Sequence, residues 1–198
     1  PNGKNHGILM YVDLSGSMSR QMPGTLEQMM NMALFCRKVN IPFDVYGFSN
    51  CRYSDKHPTP WSENKDMNRS ILEAREDGEM VITDSNFALV HMLSSTCKKS
   101  DFDNAMAYLL LMKLGYENRG YWSDGLYGYT QNDYFRLGGT PLNSALVLAP
   151  QIAKEFQKTY NVEKLTTVFL TDGGATDSIT YRNSNCEHRA VSSVYREP

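Results

Sequence analysis

Residues 7–13, Gly7-Ile8-Leu9-Met10-Tyr11-Val12-Asp13, form a short, nearly continuous apolar run that ends in an acid. That pattern belongs to a strand buried on both faces. The turn after it, Leu14-Ser15-Gly16-Ser17-Met18-Ser19, is rich in hydroxyls. A helix is expected from Thr25, where Thr25-x-x-Gln28 can form a capping box. Leu26, Met29, Met30, Ala33 and Leu34 fall on one helical stripe, and Pro42 halts the pattern. Residues 43–49 then alternate apolar and polar, as a strand does.

From Asn50 to Asn68 the chain is polar and broken by Pro58 and Pro60; long excursions of this kind are functional or mobile. Helices are expected over 87–96 and 102–114. The second is preceded by Ser100-Asp101 and closed by Gly115. Residues 115–139 gather Tyr116, Tyr121, Trp122, Tyr127, Tyr129, Tyr134 and Phe135 with no surviving period, and read as an irregular loop. Thr140 and Pro141 open the last clear helix, with Thr140 as its cap and Pro141 in its first turn. Its apolar stripe is Leu142, Ala145, Leu146, Ala149, Ile152, Ala153 and Phe156, with a kink expected at Pro150. A final buried strand over 166–171 leads into Asp172-Gly173-Gly174, and 177–198 is a polar stretch.

Strands alternating with helices predict the α/β class: an open, mostly parallel, Rossmann-like sheet with helices on both faces. The 198 residues suit one domain, 1–198. Within it, 50–137 reads as an insertion that holds helices and the Tyr/Gly-rich loop. Three strands are few for such a sheet, so a partial domain lacking its C-terminal strands, part of a longer protein, is expected.

Charge narrows the function classes. The 20 Lys and Arg against 22 Asp and Glu give a net charge of −2. That balance disfavours a binder working through bulk charge, because phosphate neutralisation needs a basic face, so no nucleic-acid partner is expected. No apolar run approaches the roughly 18 residues of a membrane span, so no membrane partner is expected either. The four cysteines, Cys36, Cys51, Cys97 and Cys186, are widely spaced, with no CxxC pair or Cys-His cluster. That pattern disfavours zinc and fits reduced thiols in a cytoplasmic protein.

The candidate chemistry lies where strands end. Asp13 closes the first strand and Asp172 follows the last, and the carboxyl ends of strands in an open α/β sheet meet at the ligand crevice. Asp13-x-Ser15-x-Ser17 offers one carboxylate and two hydroxyls on a tight loop, and Thr140 adds a hydroxyl at a helix start. Oxygen donors without soft ligands suit a hard cation such as Mg²⁺, with Mn²⁺ or Ca²⁺ as alternatives. Neutral hydroxyls leave such an ion electrophilic, with a position that a partner's carboxylate can fill. A site of that kind recognises an acid through a metal and needs no catalytic base.

Asp13-Leu14-Ser15-Gly16-Ser17, Thr140 and Thr171-Asp172-Gly173, in that order, resemble the metal-ion-dependent adhesion site (MIDAS) of von Willebrand factor A (VWA) domains. The resemblance covers about residues 1–50 and 138–174. It implies direct ligation by Ser15, Ser17 and Thr140, and mainly water-mediated contact from Asp13 and Asp172. A narrower likeness is to the VWA domain of the cobaltochelatase CobT subunit and its bacteriophage-encoded relatives. It rests on Phe35-Cys36-Arg37-Lys38-Val39-Asn40-Ile41-Pro42-Phe43-Asp44-Val45-Tyr46-Gly47-Phe48, Val162-Glu163-Lys164 and Leu170-Thr171-Asp172-Gly173. By analogy it implies an AAA+ ATPase partner and a non-catalytic role, in a host cytoplasm if the chain is phage-encoded.

Other features read more plainly. Met29, Met30 and Met32 read as core filling. His6, His57, His91 and His188 show no ligand spacing, Lys98-Lys99 reads as a solvated helix end, and no Walker-type Gly-Lys-Ser is present. The Tyr-rich loop reads as packing on itself, with a partner surface as the alternative. Three functions therefore compete. The first is a metal-dependent module that captures an acidic residue of a protein partner. The second is a metal-dependent hydrolase or peptidase, against which stands the lack of a general base or Ser-His pairing in the motifs. The third is a structural or adhesive component of a virion or cell surface.

Overall fold

The computed structural model describes residues 5–50, 80–82, 87–117, 135, 137–176, 178–183 and 186–192, the segments 80–82, 178–183 and 186–192 by backbone alone. The strands are β1 (His6–Asp13), β2 (Phe43–Ser49), β3 (Met80–Ile82), β4 (Ala88–Ser94), β5 (Lys164–Leu170), β6 (Ser178–Asn183) and β7 (Cys186–Ser192). The helices are α1 (Met22–Lys38), α2 (Lys99–Glu117) and α3 (Leu142–Tyr160), and a 3₁₀ turn spans Ser17–Arg20.

Side chains alternate across a strand, and the apolar run of β1 fills both sides. Met10 and Val12 join Phe43, Val45 and Leu93 in a core closed by Leu26, Met29, Met30 and Ala33 of α1 and Phe102, Leu109 and Met112 of α2. Leu9 and Tyr11 join Phe48 and, from α3, Ala145, Ala149 and Phe156 in a second core. Helices therefore cover both faces. Each fully buried side chain of this size contributes about 1.5–3 kcal/mol.

The main sheet has the order β4-β2-β1-β5. β1 pairs in parallel with β2 and with β5, whereas β4 runs antiparallel to β2. The chain is thus an α/β protein with an open, mixed, Rossmann-like sheet. β3, β6 and β7 form a separate antiparallel sheet, with β3 and β6 beside α3.

Several sequence expectations need correction. Residues 87–96, read as a helix, contain strand β4. Ala, Leu and Met favour helices locally, but a ladder on β2 and burial between two helical layers outweigh that preference. The polar 177–198 stretch holds β6 and β7. β5 is the outer strand of its sheet, and its residues are exposed or half-buried rather than buried. Leu34 and Leu146 leave their expected stripes, being 49% and 47% exposed, and Met32 is exposed too. The buried arc of α1 follows Leu26, Met29, Met30, Ala33 and Cys36, spacings of three and four residues that return to one side. Thr25 is no cap: α1 begins at Met22, and the Thr25 hydroxyl donates to the Gln21 carbonyl at 3.0 Å. α2 runs through Gly115 to Glu117 because Tyr116 packs into the core. Pro150 lies inside α3, which continues to Tyr160.

Of the segment read as an insertion, β4 belongs to the main sheet and α2 to the first core. The excursion at 51–68 and the aromatic residues 121–134 lie outside the described residues. Cys36 and Cys97 are free thiols.

Candidate functional site

The chain leaving β1 is fixed by backbone on two sides. The Leu14 N–H donates to the Phe48 carbonyl at 2.9 Å, continuing the β1–β2 ladder past Asp13. The Leu14 carbonyl then accepts from the Gly138 N–H at 2.9 Å and from the Ser49 hydroxyl at 3.3 Å. The Gly16 N–H donates to the Gly138 carbonyl at 2.8 Å, so Ser15 and Gly138 form a parallel bridge. This clasp brings the segment that ends in Thr140 to the loop carrying Ser15 and Ser17. Ser15 is buried, Ser17 is exposed, and their Oγ atoms lie 3.0 Å apart.

Two side chains hold the Thr140 end of the clasp. Asn50 Oδ1 accepts from the Gly139 N–H at 2.6 Å. Thr176 Oγ1 accepts from the Thr140 N–H at 2.9 Å, and the Thr140 carbonyl accepts from the Thr176 N–H at 2.9 Å. Thr140 is buried. It is not the helix cap expected from the sequence: Pro141 holds the cap position of α3, and no side chain makes a capping bond. The backbone pair with Thr176 fixes the Thr140 peptide instead.

Asp13 is fully buried. Its Oδ2 accepts a 2.7 Å hydrogen bond from Thr171 Oγ1, which in turn accepts from the Gly173 N–H at 3.1 Å. Gly173 adopts φ +97°, in the region that disfavours side chains, and so closes this turn. Asp13 Oδ1 has no hydrogen-bond partner among the described residues. Burial raises the Asp13 carboxyl above the usual carboxylate range. The hydrogen bond from Thr171 and the nearby Ser15 oppose that rise, and the Asp172 charge adds to it. Asp172 itself is exposed.

The residues singled out from the sequence, Asp13, Ser15, Ser17, Thr140 and Asp172, thus stand at one edge of the sheet, around the ends of β1 and β5 and the start of α3. Among the described residues, no three His, Cys, Asp or Glu side chains converge. The donor set at this edge is two carboxylates and three hydroxyls. Hard cations accept such a set, and the unpartnered Asp13 Oδ1 fits one. Sequence reasoning missed the parts played by Thr171, Asn50 and Thr176. Thr171 left a trace, because Val12 pairs with Leu170 and the next step sets Thr171 beside Asp13. Asn50 and Thr176 are polar loop residues with no spacing to mark them.

Comparison of the chain with protein-family models, with curated proteins and with solved structures finds no match.

Proposed function

We propose that the chain is a divalent-metal-dependent protein-binding module of the VWA type, which captures an acidic residue of a partner protein at a MIDAS-like site. Asp13 Oδ1, buried and without a donor among the described residues, carries this reading. A buried carboxylate oxygen left unpaired costs about 1–3 kcal/mol or more, and a cation compensates that cost directly. The Asp172 charge acting on Asp13 adds a second reason, since a divalent ion relieves the repulsion between them.

Ser15, Ser17 and Thr140 would hold Mg²⁺, or Mn²⁺ or Ca²⁺, through their hydroxyl oxygens, with Asp13 and Asp172 supplying charge. Bound there, the ion supplies a coordination position open to an incoming carboxylate. The chain's own residues orient the donors: Thr171 sets the Asp13 carboxylate, and the Gly138 bridge sets Ser15. The partner is a protein presenting Asp or Glu, by analogy an AAA+ ATPase, and the role is non-enzymatic and cytoplasmic. No helix among the described residues is long and apolar enough to cross a membrane.

The test is calorimetric titration of Mg²⁺ into the chain and into Asp13→Ala and Asp172→Ala. Each variant is expected to weaken binding while remaining folded. Unchanged affinity in both would remove the metal from the account.

A further inference from the structure

A second polar cluster lies on the α3 side of the sheet, around Asp44 at the opposite end of β2 from the Asp13 loop. It depends on a bulge. Val45 pairs with Leu93 but Tyr46 pairs with His91, so Met92 is an extra residue in β4. Residues three apart on a regular strand face opposite ways; the bulge turns His91 and Ser94 to the same face. There His91 stacks on Tyr46, with ring centroids 4.6 Å apart, and its Nε2 stands 3.4 Å from Asp44 Oδ1. The Tyr160 hydroxyl donates to the same Oδ1 at 3.2 Å.

Proton counting orients the rest. Tyr160 spends its single proton on Asp44, so at the 3.1 Å contact Ser94 Oγ is the donor and the Tyr160 oxygen the acceptor. Ser94 Oγ must then accept at its 2.8 Å contact with Thr96 Oγ1, as it does from the Thr96 N–H at 3.2 Å. A chain of hydroxyls, Thr96 to Ser94 to Tyr160, thus points its protons at one carboxylate oxygen. Asp44 is buried, and both of its polar side-chain contacts among the described residues fall on Oδ1.

These groups line a cavity of about 190 Å³ with Phe156, Ile152, Glu155 and Thr159. That is smaller than the roughly 300–1,000 Å³ of sites for drug-sized molecules. It suits a single extended side chain or a small amine. Burial, and then the Asp44 charge, push the Tyr46 phenol up to about 12, so this ring stays neutral. The formal negative charge at the cavity belongs to Asp44 and Glu155, which excludes an anion. A guanidinium prefers both oxygens of a carboxylate side by side, but Oδ1 already serves Tyr160 and His91. An ammonium needs one oxygen and aromatic faces beside its stem.

We propose that the Asp44 cavity binds a primary alkylammonium group, received by Asp44 Oδ2 between the rings of Tyr46, Phe156 and Tyr160. The group is that of a free amine or of a lysine side chain. The experiment is an NMR titration of the full chain in EDTA, which keeps the Asp13 site out of the result. The probes are n-butylammonium and Nα-acetyl-lysinamide, with n-butanol and Nα-acetyl-argininamide as controls, followed at the Ser94, Thr96 and Thr159 amides. Both ammonium probes are expected to give saturable shifts, and the tighter of the two identifies the source. n-Butanol is expected to give none, and Asp44→Asn to weaken both ammonium probes by at least about tenfold. The proposal is overturned if n-butanol matches n-butylammonium, if the arginine derivative binds more tightly than the lysine one, or if no probe saturates. Affinity unchanged in folded Asp44→Asn overturns it as well. The comparison of charged with neutral probe needs no substitution, and it decides the matter even if Asp44→Asn fails to fold.

Discussion

Thr171 Oγ1 donates a 2.7 Å hydrogen bond to Asp13 Oδ2, joining the ends of two neighbouring parallel strands. The bond divides the buried carboxylate into two unlike oxygens. Oδ2 is tied to a neutral hydroxyl, and Oδ1 has no partner among the described residues. Because Thr171 Oγ1 also accepts from the Gly173 N–H, the same hydroxyl shapes the turn that carries Asp172. One side chain therefore positions one acid and the loop of the other.

Replacing Thr171 by Val keeps the shape of the side chain and removes both bonds. The variant is expected to lose about 1–3 kcal/mol, the range for leaving a buried polar group unsatisfied. Urea unfolding in chelator measures this as a lower midpoint with an unchanged slope. Mg²⁺ affinity is expected to fall in parallel. A stability equal to that of the parent would show that the bond contributes nothing net.

The clasp at Gly139 admits no side chain. A Cβ there would stand 2.9 Å from Asn50 Oδ1 and 3.0 Å from Thr176 Oγ1, the two atoms that hold the Gly139 and Thr140 N–H groups. Gly139→Ala is expected to displace both acceptors, with a loss of about 1–3 kcal/mol and weaker Mg²⁺ binding. Gly174→Ala, where a Cβ meets nothing within 4 Å, is the control and is expected to change little. Equal effects at the two glycines would mean that the clasp does not position Thr140.

What was legible in the sequence depended on whether a signal was local. β1 and the residues Asp13, Ser15 and Ser17 sit on one unbroken stretch, where an apolar run meets a polar turn. Thr140 and Asp172 were legible as residues at element boundaries, but the role of Thr140 was misread. Thr140-Pro141 has the composition of a capped helix start, whereas tertiary contacts with Thr176 took over the backbone that a cap would have satisfied. β4 was misread because its ladder partner β2 lies about 45 positions earlier, and no window along the chain contains both. Asp44 went unnoticed for a related reason. Alternation in 43–49 marks it as the solvent face of a strand, but α3 covers that face and buries it.

Thr140→Ala separates the structural and ligand-binding roles of this residue. Its N–H and carbonyl bonds to Thr176 involve backbone alone on the Thr140 side, so they survive the substitution. Its side chain makes no capping bond, so stability is expected to change by no more than about 1 kcal/mol. Capture of an acidic partner is expected to weaken with Ala and persist with Ser, which restores the hydroxyl. Removing the partner's acid is expected to cost roughly 2–5 kcal/mol, the scale for one member of a buried charged pair. A pull-down with and without EDTA checks this; capture indifferent to both chelator and Thr140→Ala would place the partner surface elsewhere.

Asp13→Asn is expected to reverse the order of stability between metal-free and metal-loaded protein. The Asp13 carboxyl is raised by burial, so the folded chain holds this proton more tightly than the unfolded chain. Between the ordinary carboxylate value and the raised one, the folded state then binds more protons, and stability falls as pH rises through that window. At neutral pH in EDTA the charged Asp13 therefore opposes folding, and Asp13→Asn removes the charge while keeping the shape. The variant is expected to melt higher than the parent in chelator, with the difference shrinking as pH drops into the carboxylate range. Mg²⁺ acts in the opposite sense. A ligand bound only to the folded state at about 100 times its Kd adds about 2.7 kcal/mol, and the parent gains this while the variant gains little. Thermal unfolding in EDTA and in excess Mg²⁺, at neutral pH and near pH 4, measures all four terms. If Asp13→Asn melted below the parent in EDTA, burial of the charge would not be the dominant strain at this position. If Mg²⁺ stabilised both proteins equally, Asp13 would not be among the residues that hold it.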